Sequence, residues 1–258
     1  MSEYPSPLPV DRIENGETPP PPQQAMLQLP LRKPAVTYGI IVLTVVMYLL
    51  QLASKSLYGG ADFPAALGAK VNQFIEAGEV WRFITPVLFH GSLLHIALNM
   101  YALFALGPNL ERFYGHFRFL LLYTAGAFTG NVFSYLMSEK SSLGASTAIF
   151  GLILAQAVFV YQNRQYFGSR AKSMLLNMGM IVIFNLVLGL SPGIDNWGHL
   201  GGLLGGLVFA WFAGPVLEVS GVFPTLSLID RRSNTPALVT LAVIILAAGS
   251  AAVIKILN

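Results

Sequence analysis

Seven long apolar segments, separated by polar connections, dominate the pattern of hydrophobic and polar positions along this chain. Each segment has between 18 and 21 residues, close to the number that an α-helix needs to cross the hydrocarbon of a bilayer. The pattern therefore predicts an all-α integral membrane protein. The segments lie at 36–54, 89–107, 117–137, 145–162, 173–191, 198–216 and 236–255.

The first 34 residues do not share this pattern. They are polar, contain the run Pro19–Pro22 and hold too few apolar residues to build a core. We predict that residues 1–34 form a disordered, proline-rich tail. A signal peptide is not expected, because the first apolar run begins near Val36, lacks a small-residue cleavage site and has the length of a membrane helix.

Composition agrees with a membrane protein. The chain is 54% hydrophobic and 10% charged, whereas soluble domains carry about 25% charged residues. It has no cysteine, which excludes disulfides and thiolate metal sites. Nothing in the distribution of its small net charge of +3 suggests a nucleic-acid partner. The lipid bilayer is the predicted surrounding, and no oligomeric state is predicted.

The fifteen Lys and Arg residues predict the orientation of the helices. If the N-terminus is cytoplasmic, ten of them lie on the inner side and five on the outer side. This bias favours an inside N-terminus, because cytoplasmic loops carry an excess of Lys and Arg. The inner set is Arg12, Arg32, Lys33, Arg112, Arg118, Arg164, Arg170, Lys172, Arg231 and Arg232, and the outer set is Lys55, Lys70, Arg82, Lys140 and Lys255.

Three of the predicted helices begin with polar residues at the outer face. The second carries His95 and Asn99, which share a helix face at i and i+4, the fourth begins near Ser146, and the sixth begins near His199. Polar groups at membrane depth indicate a functional site. Because these helices enter from the same side, we expect their polar ends to meet at one level.

These side chains suit serine hydrolysis. A serine hydroxyl becomes a good nucleophile when a base takes its proton, and neutral imidazole is suited to this near pH 7. The oxyanion that forms needs donors, for which the N–H of Ser146 and the side chains of His95 and Asn99 are candidates. An ionised third member is costly in lipid. We therefore favour a Ser146/His199 dyad, with Asp195 in the outer loop.

Small residues near the histidine predict close helix packing. Gly198, Gly202 and Gly206 form a small-xxx-small stripe on the sixth segment, and such stripes let membrane helices approach closely. Phe150 follows Ser146 at i+4, so its ring is expected beside the imidazole of His199.

This set of motifs resembles the rhomboid intramembrane serine proteases. The likeness runs from Trp81-Arg82 through the His90, His95 and Asn99 pattern and Gly-x-Ser at 144–146 to His199, Gly202 and Gly206, about half of the chain. The resemblance implies a six-helix core within residues 35–216 and one added C-terminal helix within 217–258. It also implies a protein of the bacterial cell membrane, or of an equivalent organelle membrane.

The resemblance assigns a role to each site residue. It makes Ser146 the nucleophile, His199 the general base, and His95 with Asn99 the oxyanion site. It gives supporting roles to Phe150, Gly144, Gly202 and Asn196. It implies no metal and no cofactor, and its substrates are single-pass membrane proteins cut near the outer face.

One residue departs from the family pattern. The family usually has Gly-x-Ser-Gly, whereas Thr147 follows the serine here. A β-branched side chain there is expected to alter the oxyanion geometry or to narrow substrate access. Two further hypotheses therefore remain open. One is an inactive relative that binds membrane helices and controls their fate, and the other is a transporter with a polar pathway.

Structural roles are also open for several residues. Ser146 could be a helix N-cap, and His95 with Asn99 could join helices by hydrogen bonds. We expect His90 to bond loop backbone near the site and His116 to be solvated at the inner face. Trp81 and Arg82 are expected to stabilise the first loop, the alternative being an aromatic-belt anchor and a headgroup contact. Zinc and aspartyl mechanisms lack their His-Glu-x-x-His motif and their second aspartate.

Overall fold

The computed structural model describes residues 26–29 and 32–258, and most of these residues are helical. Four helices, α1, α4, α7 and α9, are long and apolar enough to cross a membrane, and α5 is a shorter apolar helix. The helices are α1 Ala35–Leu57, α2 Phe63–Gly68, α3 Asn72–Glu76, α4 Leu93–Met137, α5 Ser146–Gln162, α6 Arg164–Phe167, α7 Arg170–Leu188, α8 Asn196–Ala213 and α9 Thr235–Leu257. The strands are β1 Met26–Gln28, β2 Leu217–Val222 and β3 Thr225–Asp230.

Helix α4 contains two of the predicted spans. Its 45 residues would reach about 67 Å in one straight helix, roughly twice the thickness of the hydrocarbon. Gly115 interrupts the helix with φ +74° and ψ 161°. A Cβ at Gly115 would lie 2.1 Å from Nη1 of Arg32, but this atom ends a flexible and exposed side chain, so it is the backbone angle that requires glycine. The first half of α4, residues 93–114, thus corresponds to the second predicted segment, and the second half, residues 116–137, corresponds to the third.

The ends of the helices differ by a few residues from the predicted segments. Helix α4 begins at Leu93, four residues after the predicted start, because Ser92 caps it by accepting a 3.2 Å hydrogen bond from the N–H of His95. Such a cap satisfies one of the free N–H groups of the first turn. Helix α8 ends at Ala213, where Gly214 and Pro215 follow, and proline disfavours helical conformation in the residue before it.

Arg82 organises the long first loop from its interior. Its side chain is 2% exposed and donates to the carbonyls of Ala69 at 2.6 Å and Ala66 at 2.9 Å. It also pairs with Glu79 at 2.6 Å. The headgroup contact considered for Arg82 is therefore wrong, and its structural role in the loop is confirmed. Trp81 remains half-exposed while its Nε1–H donates to the carbonyl of Leu67 at 3.1 Å.

A small sheet accompanies the helices, and the sequence pattern does not predict it. Strand β3 pairs antiparallel with β2 and parallel with β1. Leu217 and Leu228 bury their side chains against Phe159 of α5, which fixes this β2–β3 hairpin to the helices. The expected linker at 217–235 thus folds into a hairpin.

The predicted tail needs a correction in its described part. Residues 26–28, expected to be disordered, form β1 opposite Thr225–Ser227. The open edge of β3 offers unpaired backbone groups that a neighbouring strand can satisfy, a partner that composition alone does not reveal. The rest of the predicted tail, apart from Leu29 and residues 32–34, lies outside the described residues.

Glycines let α8 pack tightly between α5 and the second half of α4. A Cβ at Gly202 would lie 2.0 Å from the carbonyl oxygen of Thr147, and one at Gly206 would lie 2.1 Å from that of Gly151. The predicted stripe therefore packs against α5. A second stripe, Gly201 and Gly205, faces α4 in the same way. Helix α8 therefore carries glycines on two of its faces.

Candidate active site

Ser146 lies at the first residue of α5, directly after a sharp turn of the chain. Gly144 has φ +131°, a conformation that residues with a Cβ rarely adopt. The N–H of Gly144 donates to the carbonyl of Pro86 at 2.9 Å, which ties the turn to the first loop. Ser146 stays partly exposed at this position, so its hydroxyl is accessible.

The structure brings the hydroxyl of Ser146 to the imidazole of His199. The two side chains belong to α5 and α8, and Oγ lies 3.0 Å from Nε2. With the imidazole proton on Nδ1, Nε2 can accept the serine proton. His199 is 7% exposed, which separates most of the ring from solvent. This is the arrangement of a nucleophile beside its base.

Phe150 fixes the plane of that imidazole. Its ring stacks on His199 with centroids 4.1 Å apart and an interplanar angle of 9°. Because Phe150 follows Ser146 by one helical turn, one face of α5 carries both the hydroxyl and the stacking ring. The aromatic contact expected from the spacing is present.

No described carboxylate reaches the second nitrogen of His199. Its Nδ1 is buried and has no hydrogen-bond partner among the described residues. Asp195, the nearest acid in the sequence, instead caps α8 by accepting from the N–H of Gly198 at 2.9 Å. Its other oxygen accepts from Oγ of Ser134 at 2.5 Å. Asp195 therefore has the position of a structural cap in the loop before α8.

His95 and Ser146 both approach Gly144, and the His95 ring fills the place that a side chain at Gly144 would take. A Cβ built on Gly144 would lie 2.7 Å from Nε2 of His95 and 3.8 Å from Oγ of Ser146. Asn99 is buried one turn further along α4, and its amide donates to the carbonyl of His95 at 2.9 Å. The structure thus places His95 in the neighbourhood of the serine, while the amide of Asn99 bonds its own helix.

His90 and Gln51 support the turn that carries Ser146. Nε2 of His90 accepts from the N–H of Ala145 at 3.3 Å, the loop-backbone role expected from the sequence. The side chain of Gln51 accepts from the N–H of His90 at 3.0 Å and donates to its carbonyl at 3.2 Å. The sequence interpretation missed Gln51, although an amide inside an otherwise apolar segment is a signal that could have indicated it.

Asn196 joins the beginning of α8 to the end of α7. Its side-chain amide donates to the carbonyl of Leu186 at 2.9 Å. A Cβ at Gly189, the residue that follows α7, would lie 1.8 Å from Oδ1 of Asn196, so the contact needs a residue without a side chain there. Asn196 is therefore placed to hold the helix that carries His199.

Thr147 directs its side chain away from the serine and into the helix interface. It is 5% exposed, and a Cβ on Gly130 of α4 would lie 2.5 Å from the Cβ of Thr147. Its Oγ1 is buried without a partner among the described residues. The departure from the family pattern is thus accommodated by a glycine on the neighbouring helix.

The sequence interpretation also missed a buried acid near the bend of α4. Glu111 accepts from the N–H groups of Val36 at 2.8 Å and Thr37 at 2.7 Å, and from Oγ1 of Thr37 at 2.6 Å. It also contacts Nδ1 of His116 at 2.5 Å, a residue that is half-exposed as expected. Glu111 therefore caps α1 and fixes it against α4. Within the described part of the chain, no three His, Asp or Glu side chains are grouped to hold a metal ion.

Comparison with known proteins gives a family model and relatives that share one family name. The family model of the Rhomboid domain matches residues 77–216. Over 193 residues the chain is 39% identical to Rhomboid protease GluP of Bacillus subtilis (strain 168), covering 74% of this chain and 37% of that protein. Over 233 residues it is 30% identical to RHOMBOID-like protein 5 of Arabidopsis thaliana, covering 78% of this chain and 74% of the relative. It is also 31% identical over 183 residues to Rhomboid-like protease 3 of Toxoplasma gondii, covering 69% of each. The chain thus spans little more than a third of the Bacillus relative's length.

Proposed function

Because this chain belongs to the rhomboid family of multi-pass membrane proteins, we propose that it is an intramembrane serine endopeptidase acting through a Ser146/His199 dyad. Its substrates are membrane proteins that cross the bilayer once, cut within or beside the spanning segment. The proposal rests above all on one observation, the 3.0 Å separation of Ser146 Oγ and His199 Nε2 across two helices.

The family's architecture gives the helices their roles in this proposal. Helix α1, the two halves of α4, α5, α7 and α8 form a six-helix core within residues 35–216, and α9 is the added helix. The excess of Lys and Arg on the inner side places the N-terminus in the cytoplasm. Ser146 then lies toward the outer face of a bacterial cell membrane or an equivalent organelle membrane.

The reaction begins with transfer of the Ser146 proton to Nε2 of His199 as Oγ attacks the substrate carbonyl. The tetrahedral intermediate carries a negative oxygen, which preorganised donors stabilise. The His95 imidazole, beside Gly144, and the backbone N–H of Ser146 are the donors that we assign to it. Asn99 joins them if its amide turns from the carbonyl of His95, the position in which it now donates.

Collapse of this intermediate breaks the peptide bond. His199 returns its proton to the leaving amine, and the acyl group remains on Ser146. Water then attacks the acyl-enzyme with His199 again acting as base, which regenerates the serine. Because Ser146 is partly exposed, we expect a polar cavity that is open to the outer face and brings water to this depth.

A dyad is favoured over a triad by the surroundings of the imidazole. The stacked ring of Phe150 sets its orientation, which is the task of the aspartate in a soluble triad. Nδ1 has no partner among the described residues. The histidine can therefore be oriented by packing rather than by a buried charge, which would be costly in lipid.

The decisive test is cleavage of a single-span model substrate by purified protein in detergent and in lipid. Ser146→Ala should abolish cleavage and leave the thermal stability unchanged. Ser141→Ala is the matched control, because Ser141 is an exposed serine of the preceding loop, and it should cleave at the wild-type rate. Undiminished cleavage by Ser146→Ala refutes the proposal.

An inactive relative that binds membrane helices is the second candidate. Thr147 in place of the family's glycine and the inward hydrogen bond of the Asn99 amide favour it. A fluorophosphonate or isocoumarin probe separates the two functions, because only an activated serine reacts with it. Labelling of wild-type protein, lost in Ser146→Ala, supports the protease. Absence of labelling together with substrate binding supports the inactive relative.

A further inference from the structure

A cavity lined by arginines lies at the opposite end of the molecule from Ser146. Residues 93–114 of α4 run from the level of the serine to Gly115, a distance of about 33 Å in a helix. At that end a cavity of about 760 Å³ lies between the bend of α4 and the β2–β3 hairpin, with Arg112, Arg118 and Arg232 in its lining. None of these residues has a part in the proposed reaction.

Arg118 is the least exposed of these arginines and has a free donor. Its side chain is 7% exposed. Nε donates to the carbonyl of Tyr114 at 3.0 Å, and Nη2 pairs with Asp230. Nη1 is buried and has no partner among the described residues. A buried cationic donor without an acceptor is costly, so such a group favours an acceptor, a water or an anion, in the adjoining space.

The charges that line the cavity are strongly unbalanced. The charged lining residues in the described part of the chain are Arg32, Arg112, Arg118 and Arg232 against Asp230, four positive groups and one negative. Asp230 is already engaged, because it accepts from the N–H groups of Val216 and Arg232 at 3.0 Å each. An added anion would therefore meet an excess of three positive charges.

The walls of the cavity are apolar beside this charged end. Phe113, Leu217 and Leu228 contribute to the lining, and the two leucines belong to the cluster around Phe159. Arg232 is held in place at the rim by donating to the carbonyl of Gly214 at 2.7 Å. The cavity thus combines a fixed cationic end with a hydrocarbon surface.

We propose that this cavity binds a phosphate group, supplied by the headgroup of an anionic phospholipid. Guanidinium groups pair with phosphate oxygens through short, charge-assisted hydrogen bonds. The free Nη1 of Arg118 and the side chain of Arg112 hold the phosphate, and Phe113 contacts the glycerol and upper acyl part of the lipid. Arginines in general meet headgroups at a membrane surface, but here the cationic donor is buried within the fold.

The test measures lipid retained by the full-length protein on native mass spectrometry after reconstitution with phosphatidylglycerol or phosphatidylcholine. Wild-type protein should retain phosphatidylglycerol in preference to phosphatidylcholine. Arg112→Gln should weaken that retention about tenfold, because one charge-assisted contact is lost. The control is Arg170→Gln, which removes the same charge from an exposed residue outside the cavity and should leave retention unchanged.

A second variant, Arg118→Lys, tests whether Nη1 of Arg118 is the donor while keeping the fold intact. Arg118→Lys keeps a positive charge that can pair with Asp230 but removes Nη1, so retention should fall while the melting temperature is kept. Inorganic phosphate at millimolar concentration should raise the melting temperature of delipidated wild-type protein and not that of Arg112→Gln. Equal retention of both lipids, or equal retention by wild type and Arg112→Gln, overturns the proposal. Stabilisation by free phosphate without any preference between the lipids overturns the assignment to a headgroup.

Discussion

His199 approaches Ser146 through Nε2, at 3.0 Å from Oγ, while the other ring nitrogen contacts no described acceptor. The nearest acid along the chain, Asp195, accepts no hydrogen bond from this ring and instead caps α8 by accepting from the N–H of Gly198. The position of the imidazole therefore depends on packing against Phe150. Substitutions of Asp195 should therefore change the stability of the protein without changing the cleavage rate to the same degree.

Asp195→Asn should leave the cleavage rate within a few-fold of wild type. Asparagine is as good an N-cap as aspartate, and the carboxylate has no contact with His199 to lose. In a triad, the same substitution at the acid costs about 10⁴-fold in rate. The measurement is cleavage of a single-span substrate by both proteins under identical conditions.

Asp195→Ala is the companion variant, because it removes the cap itself. It should lower stability by about 1 kcal/mol, seen as a lower melting temperature in detergent. A loss of rate in Asp195→Asn that approaches the triad value would show that the acid acts in the reaction.

Gly202→Ala should destabilise the protein strongly. A Cβ at this position would lie 2.0 Å from the carbonyl oxygen of Thr147 and 2.9 Å from its carbonyl carbon, so α5 and α8 would have to separate. The separation would also draw His199 away from Ser146. We expect a large fall in melting temperature and a loss of cleavage.

Gly179→Ala is the matched control for that substitution. Gly179 lies within helix α7, and no atom approaches within 4 Å of a Cβ built there. The change should be neutral or slightly stabilising, because alanine favours helix over glycine. Similar melting temperatures for Gly202→Ala and Gly179→Ala would contradict the close packing of α8.

The sequence predicts the helices well because lipid imposes their length. Each span needs about 20 apolar residues, and each of the seven predicted segments is helical over most of its length in the structure. Convergence of the polar residues was also predictable. Three helices that enter from one face carry their first-turn residues to the same depth, and the pair Ser146 and His199 follows from this.

Other features depend on partners that are remote in the chain. Strand β1 pairs with β3, some 200 residues away. The local sequence around β1 does not indicate that the edge of β3 is available for pairing. The buried cap Glu111 is reached by the N–H groups of Val36 and Thr37 only after α1 docks against α4. The direction of the Asn99 side-chain amide depends on its rotamer, which the spacing of residues in the sequence does not determine.

Thr147→Val should retain activity and be as stable as wild type or more so. The two side chains have nearly the same shape, and the hydroxyl that is removed has no partner among the described residues. Removing an unsatisfied buried hydroxyl is worth about 1 kcal/mol. The measurement is the melting temperature together with the rate of cleavage.

Thr147→Ser tests the contribution of the methyl group of Thr147. It keeps the hydroxyl and removes the methyl that packs near Gly130 and Gly198, so it should cost about 1 kcal/mol. If Thr147→Ser were the more stable of the two variants, the hydroxyl rather than the methyl would be the group that holds Thr147 in the interface.

Lys70 should make stability depend on pH in the alkaline range. Burial lowers the pKa of Lys70 from 10.5 to about 8, with smaller opposing effects of Asp195 and Glu139. Between these two values the unfolded chain binds more protons than the folded one, so stability rises with pH from about 8 to 10.5 and is level below that window. Lys70→Met should be less stable overall, because the wild-type ammonium donates to the carbonyls of Ser138 at 2.8 Å and Lys140 at 2.9 Å. Lys70→Met should also lack the rise in stability with pH that Lys70 contributes.

The measurement is the difference between the wild-type and Lys70→Met melting temperatures, followed from pH 7 to 10.5. Taking the difference removes the effect of tyrosine titration, which both proteins share. A difference that stays constant over the whole range would show that Lys70 titrates at its ordinary value.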